Sequence, residues 1–145
     1  MKHNKLACLF VSTVLLCASF NVFSAERKTA IGMGFQYGGL VGLQWSLLED
    51  RHRGSVGLGL IGLSIGYDYA LGGKVSAGIT SFVLESGVGG FTAAGLRLHY
   101  YPNGTFQNGW VYGLDIFRSI DTRTIFDEDE ENFINGFFSV GYGFK

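Results

Sequence analysis

The chain has 145 residues, of which 23 are glycine and only one is proline, and both cysteines fall within the first 25 residues. Without Lys2 and Lys5, nine basic residues against twelve acidic ones leave the rest of the chain with a net charge of −3. This balance excludes the concentrated basic face that a nucleic-acid partner requires. Glycine at this density costs a helix roughly 1 kcal/mol per site relative to alanine, so long helices are excluded as well.

Residues 1–25 have the organisation of a secretory signal peptide. They begin with basic residues, continue with an uncharged apolar run over residues 6–20, and end in small residues that permit cleavage after Ala25 or after Ser24. An uncleaved membrane anchor is the alternative, but the run is short for a spanning helix. We therefore expect residues 1–25 to be removed and residues 26–145 to form one domain without a disulfide.

From Ala30 onward, apolar residues alternate with glycine or small polar residues, which is the period of a β-strand. The first series has its bulky members at Ile31, Met33, Phe35 and Tyr37. Gly38 and Gly39 then permit a tight turn. The second series has its bulky members at Val41, Leu43, Trp45 and Leu47, and a polar break over residues 49–54 ends it. No charged residue occurs between Ala30 and Leu47.

The third series changes parity near Ile61. Its bulky members are Val56, Leu58 and Leu60 before this point, and Leu63, Ile65, Tyr67 and Tyr69 after it. A turn at Ile61 gives two strands, whereas a β-bulge gives one long strand. The four-residue spacing of Gly62 and Gly66 also permits a glycine-faced helix pair, although the tyrosines that flank Asp68 favour a strand. With a turn at Ile61 the chain has eight strands, an even number.

Gly72 and Gly73 mark the next turn, and a strand over residues 74–84 and a glycine-rich loop over residues 85–90 follow. Residues 91–101 and 110–119 then form the clearest hairpin, around residues 102–109. A register that pairs Tyr100 with Tyr112 also pairs Leu98 with Leu114 and Leu96 with Ile116, so one face is entirely apolar. The other face then carries Arg97 opposite Asp115 and His99 opposite Gly113.

A polar stretch over residues 120–132 precedes the last strand and contains the acidic run Asp127, Glu128, Asp129, Glu130 and Glu131. We expect this run to be a solvated surface loop whose like charges keep it extended. The alternative is calcium or magnesium binding that bridges to lipopolysaccharide phosphates, although the run lacks the spacing of a calcium loop. The last strand carries Phe138, Val140, Tyr142 and Phe144 on one face.

The second face of these strands separates a membrane barrel from a soluble sandwich. In a sandwich that face meets water and carries many charges, whereas here it is mostly glycine, serine and alanine. Small residues fit the crowded interior of a narrow barrel, and the bulky apolar face fits lipid. The sequence therefore predicts an all-β fold, an antiparallel up-and-down transmembrane β-barrel of eight strands. Its interfacial girdles are predicted at Tyr37, Trp45, Tyr69, Tyr100, Tyr101 and Trp110.

The signal peptide, the alternating region and the aromatic ending at residues 138–144, which Lys145 follows, resemble the small bacterial outer-membrane β-barrels of the OmpA/OmpX type. The resemblance implies a place in the outer membrane of a Gram-negative bacterium, with both termini in the periplasm and the acidic run outside. It also implies outer-membrane lipids, lipopolysaccharide and the barrel-assembly machinery as partners. No residue pattern predicts a cofactor or a metal.

Asp68, Arg97, His99 and Asp115 share the inward parity, and we expect them to form a polar network that holds the barrel interior together. A catalytic group with His99 as base is the alternative, but no nucleophile stands at a recognisable spacing. We therefore expect a non-enzymatic barrel with a structural or surface-interaction role. The alternatives are an outer-membrane enzyme that modifies lipid or lipopolysaccharide, and a soluble periplasmic barrel that binds an apolar ligand.

Overall fold

The computed structural model describes residues 25–86, 89–124 and 134–145, and these form a closed barrel of eight antiparallel strands. β1 (Glu26–Gly34) leads into a single 3₁₀ turn (Phe35–Tyr37), and β2 to β4 are Gly39–Glu49, His52–Gly59 and Gly62–Gly72. β5 to β8 are Val75–Ser86, Gly89–Tyr100, Gly109–Thr124 and Ile134–Phe144. Each strand pairs with the next, and β8 pairs with β1. The predicted all-β barrel of eight strands is confirmed.

Glu26 and Phe144 lie at the same end of the barrel, because the number of strands is even. We term this the termini end and the opposite one the far end. The far end carries the 3₁₀ turn and a turn at Leu60–Ile61 between β3 and β4, so the parity change near Ile61 marks a turn and not a bulge or a helix pair. Residues 1–24 of the predicted signal peptide (residues 1–25) and the acidic run over residues 127–131 lie outside the described residues.

The β6–β7 hairpin has the predicted register. Tyr100 pairs with Tyr112, Leu98 with Leu114, Leu96 with Ile116, Arg97 with Asp115 and His99 with Gly113. The register is so well specified because a slip of one residue would move every leucine on this hairpin from the outer to the inner face.

Two predicted loops are shorter than expected. The loop predicted over residues 85–90 is wrong in its extent, because Glu85 pairs with Gly90 and Ser86 with Gly89. The polar break predicted over residues 49–54 narrows to a turn at Asp50 and Arg51. Polar residues continue a ladder when the backbone finds a partner strand, so polarity alone does not end a strand in a closed barrel.

The large apolar side chains of this barrel point outward, the reverse of their arrangement in a soluble core. Each strand carries at least one that is largely exposed, for example Ile31, Leu43, Val56, Leu63, Ile79, Leu96, Leu114 and Phe138. The buried positions between them are largely small or polar, including Gln44, Ser64, Asp68, Ser76, Arg97 and His99. The predicted division into a bulky apolar face and a small or polar face is therefore confirmed, with the apolar face outside.

The strands are staggered around the barrel. The paired residues can be followed strand by strand around the barrel, from Thr29 on β1 to Ile134 on β8. The residues in between are, in order, Trp45, Val56, Ile65, Ser81, Ala94 and Arg118. Thr29 itself, however, pairs with Phe144, ten residues further along β8. A stagger of this kind requires tilted strands, typically by about 35–45°. It also means that the residues of this paired series lie progressively closer to the far end from β1 to β8.

The far end is therefore uneven. The last pairs of β5–β6 and β6–β7, Ser86 with Gly89 and Gly89 with Thr124, lie higher than the last pairs of β1–β2 and β3–β4. With about 3.3 Å per residue along a tilted strand, the difference is roughly 10 Å. We term the shorter side, formed by residues 34–40 and 59–63, the low rim, and the longer side, formed by β5 to β7, the high wall.

Tyr37 lies inside the barrel and not in an outer girdle. Gly34, with φ of +114°, directs the chain inward, so Phe35–Tyr37 enter the lumen instead of extending β1. Tyr37 is 1% exposed, and its ring occupies space that Gly32 and Gly141 leave free. The girdle role predicted for Tyr37 is therefore wrong, because glycines on two neighbouring strands open a lumenal space of the size of its ring.

Tyr101 is the second aromatic residue with a wrongly predicted girdle role. It is 2% exposed and packs with Leu48, Phe106 and Val111 in a small apolar cluster inside the termini end. Tyr101 follows the last residue of β6, Tyr100, and has the parity of the inward Arg97 and His99, so the alternation itself directs its side chain into the lumen.

A methyl group added at Gly141 is expected to lower the free energy of unfolding by about 1–3 kcal/mol, the usual cost of overpacking. A Cβ at this position would overlap the phenol of Tyr37. Gly143→Ala is the matched control on the same face of β8, because the nearest atoms to its Cβ are backbone oxygens 3.9 and 4.0 Å away. Urea unfolding of both variants checks the prediction, and equal stability of the two would contradict the lumenal position of Tyr37.

Candidate functional site

The middle of the lumen contains a cluster of four ionisable side chains from three strands. Asp68 on β4 lies between Arg53 on β3 and Arg97 on β6, with His99 also on β6. Each of these positions points inward because the alternation of its strand places the apolar neighbours outside. All four side chains are buried.

Both carboxylate oxygens of Asp68 accept charge-assisted hydrogen bonds. Arg53 Nε donates to Oδ2 at 2.8 Å, and Arg97 Nε donates to Oδ1 at 2.6 Å. Arg97 Nη2 donates to Oδ2 as well, at 2.5 Å, which makes its pairing with Asp68 bidentate, and it also donates to Ser55 Oγ at 2.9 Å. Bidentate guanidinium–carboxylate pairs are the strongest of the ordinary side-chain pairs and fix the geometry of both groups.

His99 completes the cluster as a hydrogen-bond acceptor. Its Nδ1 lies 3.2 Å from Arg53 Nη2 and 3.5 Å from Asp68 Oδ1. A guanidinium can only donate, so the shorter contact makes Nδ1 an acceptor and places the ring proton on Nε2. Within the described residues, Nε2 has no hydrogen-bond partner. The imidazole therefore serves the pairing of Arg53 with Asp68 and is not oriented toward a nucleophile.

Asp115 takes a different place from the other predicted site residues. It pairs with Arg97 across the β6–β7 ladder and is completely buried. Neither of its carboxylate oxygens, however, has a hydrogen-bond partner in the described part of the chain. The structure thus brings Asp68, Arg97 and His99 into one hydrogen-bonded cluster and leaves Asp115 beside it.

Arg53 and Ser55 are members of this cluster that the sequence analysis missed. Arg53 was assigned to the polar break before β3, although it shares the parity of Ser55 and Gly57 and is opposite in parity to the outward Val56 and Leu58. Extending that alternation two residues toward the turn would have found it. Because Asp68 alone carries a negative charge between two guanidiniums, Arg53 and Arg97 share one counter-ion in the hydrogen-bonded cluster.

A second polar layer lies between this cluster and the far end. Gln36, from the 3₁₀ turn, donates from Nε2 to Ser139 Oγ at 2.9 Å. The main-chain carbonyl oxygen of Gln36 accepts from Gln44 Nε2 at 3.1 Å and from Ser64 Oγ at 2.8 Å. These three bonds tie the 3₁₀ turn to β2, β4 and β8, so the turn is a fixed part of the lumen.

Aromatic rings close the lumen at the far end. The ring of Phe35 lies 4.6 Å from that of Phe82, 4.6 Å from that of Phe117 and 4.5 Å from that of Phe137, in edge-on arrangements. Edge-to-face ring pairs at these distances are favourable beyond the area that they bury. Phe35 thus acts as the centre of an aromatic layer above the polar lumen.

The termini end is closed by the connection between β6 and β7. Phe106, which has a φ of +60°, and Tyr101 lie under the guanidinium of Arg53, whose Cζ is 5.3 Å and 5.7 Å from the two ring centres. Lys28 Nζ donates to the carbonyl oxygen of Phe106. Burial raises the pKa of Tyr101, so its hydroxyl stays neutral and accepts a hydrogen bond from Ser76 Oγ at 3.4 Å.

The space left inside the barrel is small. A cavity of about 20 Å³, bounded by Tyr37, Arg53, Tyr101 and Phe106 among others, lies between the central cluster and the termini end. This volume is close to that of a single water molecule, so neither a lipid nor a sugar fits in this cavity. With His99 only 1% exposed, the arrangement is suited to holding strands together and not to contacting a substrate.

In the described ranges, no three His, Cys, Asp or Glu side chains gather where they could share a metal ion. No helix among the described residues is long and apolar enough to cross a membrane. Comparison of the chain with protein-family models, with curated proteins and with solved structures finds no match.

Proposed function

We propose that this chain is an outer-membrane β-barrel of a Gram-negative bacterium, with a structural or surface-interaction role and no catalytic one. The observation that carries the proposal is the inversion of the barrel: its outer surface is apolar on all eight strands, while its interior is polar and filled. A closed ring of strands leaves no unpaired backbone edge, which is the condition for placing strands in hydrocarbon.

The outward tyrosines and tryptophans support this placement. Those in the half of their strands nearest the termini end are Trp45, Tyr69, Tyr100, Trp110, Tyr112 and Tyr142. Tyr67 hydrogen-bonds through its hydroxyl to His52 at the same end. Amphipathic rings at one level are typical of a membrane–water interface. We therefore propose that the termini end lies at the periplasmic interface, where the barrel-assembly machinery would meet it.

The two other functions predicted as alternatives require surfaces that the barrel does not offer. A lipid- or lipopolysaccharide-modifying enzyme needs a base that its substrate can contact, and His99 is enclosed by Arg53 and Asp68. A soluble barrel for an apolar ligand needs an apolar cavity, whereas the described lumen is filled by a polar cluster and by aromatic rings. Among the described residues, we therefore assign the proposed role to the outer surface, with lipids and lipopolysaccharide as partners.

Two simple measurements test the proposal. We expect the protein to be recovered from cells only with detergent, in the outer-membrane fraction. We also expect its folded form to migrate differently in a detergent gel before and after boiling, because a closed barrel keeps its hydrogen bonds until it is heated. Recovery in the detergent-free periplasmic extract, together with a single gel mobility, would contradict membrane insertion.

A further inference from the structure

The low rim has an unusually apolar surface for the end of a membrane barrel. Its exposed large side chains are Leu40, Leu60, Ile61 and Leu63, of which Leu60 is the most open at 78%. No charged residue occurs from Ala30 to Leu48 or from Gly54 to Tyr67. Loops that project from a membrane into water are expected to carry polar residues, and neither turn of the low rim has a charged one.

Some of the backbone groups at the low rim have internal hydrogen-bond partners. The amide of Gly38 donates to the carbonyl oxygen of Phe35 at 3.0 Å, and the amide of Leu60 donates to that of Val41 at 3.0 Å. The main-chain carbonyl oxygen of Gln36 accepts hydrogen bonds from the side chains of Gln44 and Ser64. Backbone groups of a turn in water can hydrogen-bond to water molecules, whereas those of a turn in hydrocarbon need partners within the protein.

The two turns of the low rim also pack against each other. Gly38 lies so close to the backbone of Gly59 and Gly62 that a Cβ would overlap both. Directly inside them, Phe35 and its three aromatic neighbours close the lumen. The low rim is therefore apolar on its outer side, apolar at its tip and sealed by rings on its inner side.

The height of the low rim agrees with its composition. At about 3.3 Å per residue and a tilt of about 40°, the eight residues of β3 reach roughly 20 Å along the barrel axis, and the eleven residues of β2 and of β4 reach roughly 28 Å. The apolar band of an outer-membrane barrel is about 25 Å tall. The high wall, roughly 10 Å taller, continues beyond that level, and β7 carries the outward, charged Arg118 there.

We propose that the low rim ends within the hydrocarbon and that lipid acyl chains of the outer leaflet cover it, so that the barrel reaches the aqueous phase at the far end only through its high wall. This inference rests on the proposed membrane insertion. The acyl chains then lie against Leu40, Leu60 and Ile61, and the aromatic layer around Phe35 separates them from the polar lumen. The outer surface of the low rim is continuous with the apolar surface of β1 to β4, which lipid covers under the same proposal.

Tryptophan fluorescence in vesicles tests this placement. In a background of Trp45→Phe and Trp110→Phe, single tryptophans are introduced as Leu60→Trp at the low rim, as Leu96→Trp at mid-strand on β6, and as Leu71→Trp near the termini end. Each variant is folded into phosphatidylcholine vesicles with or without brominated acyl chains, and acrylamide is used as the aqueous quencher. Boiling-dependent gel mobility shows that each variant is folded, and Leu40→Trp replaces Leu60→Trp if that variant fails to fold.

We expect brominated chains to reduce the emission of Leu60→Trp about as strongly as that of Leu96→Trp, and acrylamide to affect both weakly. Quenching of Leu60→Trp by acrylamide and not by bromine, with Leu96→Trp quenched by bromine, would overturn the inference and leave the proposed function intact. Protection of Leu60→Trp from both quenchers would overturn it too, and would indicate that a second copy of the chain covers the low rim. Absence of bromine quenching at both positions would contradict membrane insertion itself.

Discussion

Arginine in place of Leu96 is expected to lower the free energy of unfolding from lipid vesicles by about 2–4 kcal/mol. Leu96 lies near the middle of β6, is 66% exposed, and pairs with Ile79 and Ile116, whose side chains are also outward. If this surface faces acyl chains, the arginine places its charged guanidinium in hydrocarbon, which destabilises the folded state. If it faces water, an arginine at so exposed a site costs no more than about 0.5 kcal/mol.

Leu71→Arg is the matched control. Leu71 is the same residue type with nearly the same exposure, 59%, but it lies beside the turn at Gly73 and Lys74 at the termini end. A charge at the interface costs only about 0–1 kcal/mol. Urea unfolding in vesicles, followed through Trp45 and Trp110, measures both variants. A small and equal loss at the two positions would mean that the outer face does not meet hydrocarbon.

The sequence predicted those parts of the fold that depend on neighbouring strands. Each leucine of the β6–β7 hairpin has one register in which it faces outward, so Leu96, Leu98 and Leu114 together fix the pairing that the structure has. The same alternation placed Arg97, His99 and Asp115 on the inner face before any coordinates were known. The local alternation of period two is sufficient to predict the register of this hairpin and the side chains that point inward.

Features that depend on the whole circumference could not be predicted in the same way. The lumenal position of Tyr37 requires space at Gly32 on its own hairpin and at Gly141 on β8, more than a hundred residues away. The difference between the low rim and the high wall results from a stagger that accumulates over eight strands. Neither is encoded in a short stretch, and the alternation of Phe35 and Tyr37 with glycine even favoured a longer strand.

The central cluster could be predicted from the sequence only in part. Three of its members were predicted from parity, and Arg53 was missed because it follows the charged turn of residues 49–52. Its partner Asp68 was found because it alternates with the bulky series that ends in Tyr67 and Tyr69. Parity can place a charged residue inside a barrel, but its counter-ion has to be identified from strand pairing, here that of Arg53 with Asp68.

Replacement of Asp68 by asparagine is expected to lower the free energy of unfolding by about 3–5 kcal/mol, the usual cost of removing one partner from a buried ion pair. Asp68 is completely buried and accepts hydrogen bonds from both Arg53 and Arg97. An amide can still accept at its oxygen, but it leaves Arg53 and Arg97 without the charged group to which both of them donate in a closed lumen. The size of the loss reflects those uncompensated charges more than the hydrogen bonds themselves.

Asp115→Asn provides a matched comparison, since it is the same substitution at a second carboxylate with the same exposure, 0%. Asp115 has no hydrogen-bond partner among the described residues, so its replacement removes a buried charge and breaks no bidentate pair. We therefore expect a much smaller loss than for Asp68→Asn, because a carboxylate buried without hydrogen bonds is itself costly. Urea unfolding of the two variants in the same vesicles measures the difference. If both variants lose the same stability, the strands are held by the total charge of the lumen and not by the pairing of Asp68 with its two arginines.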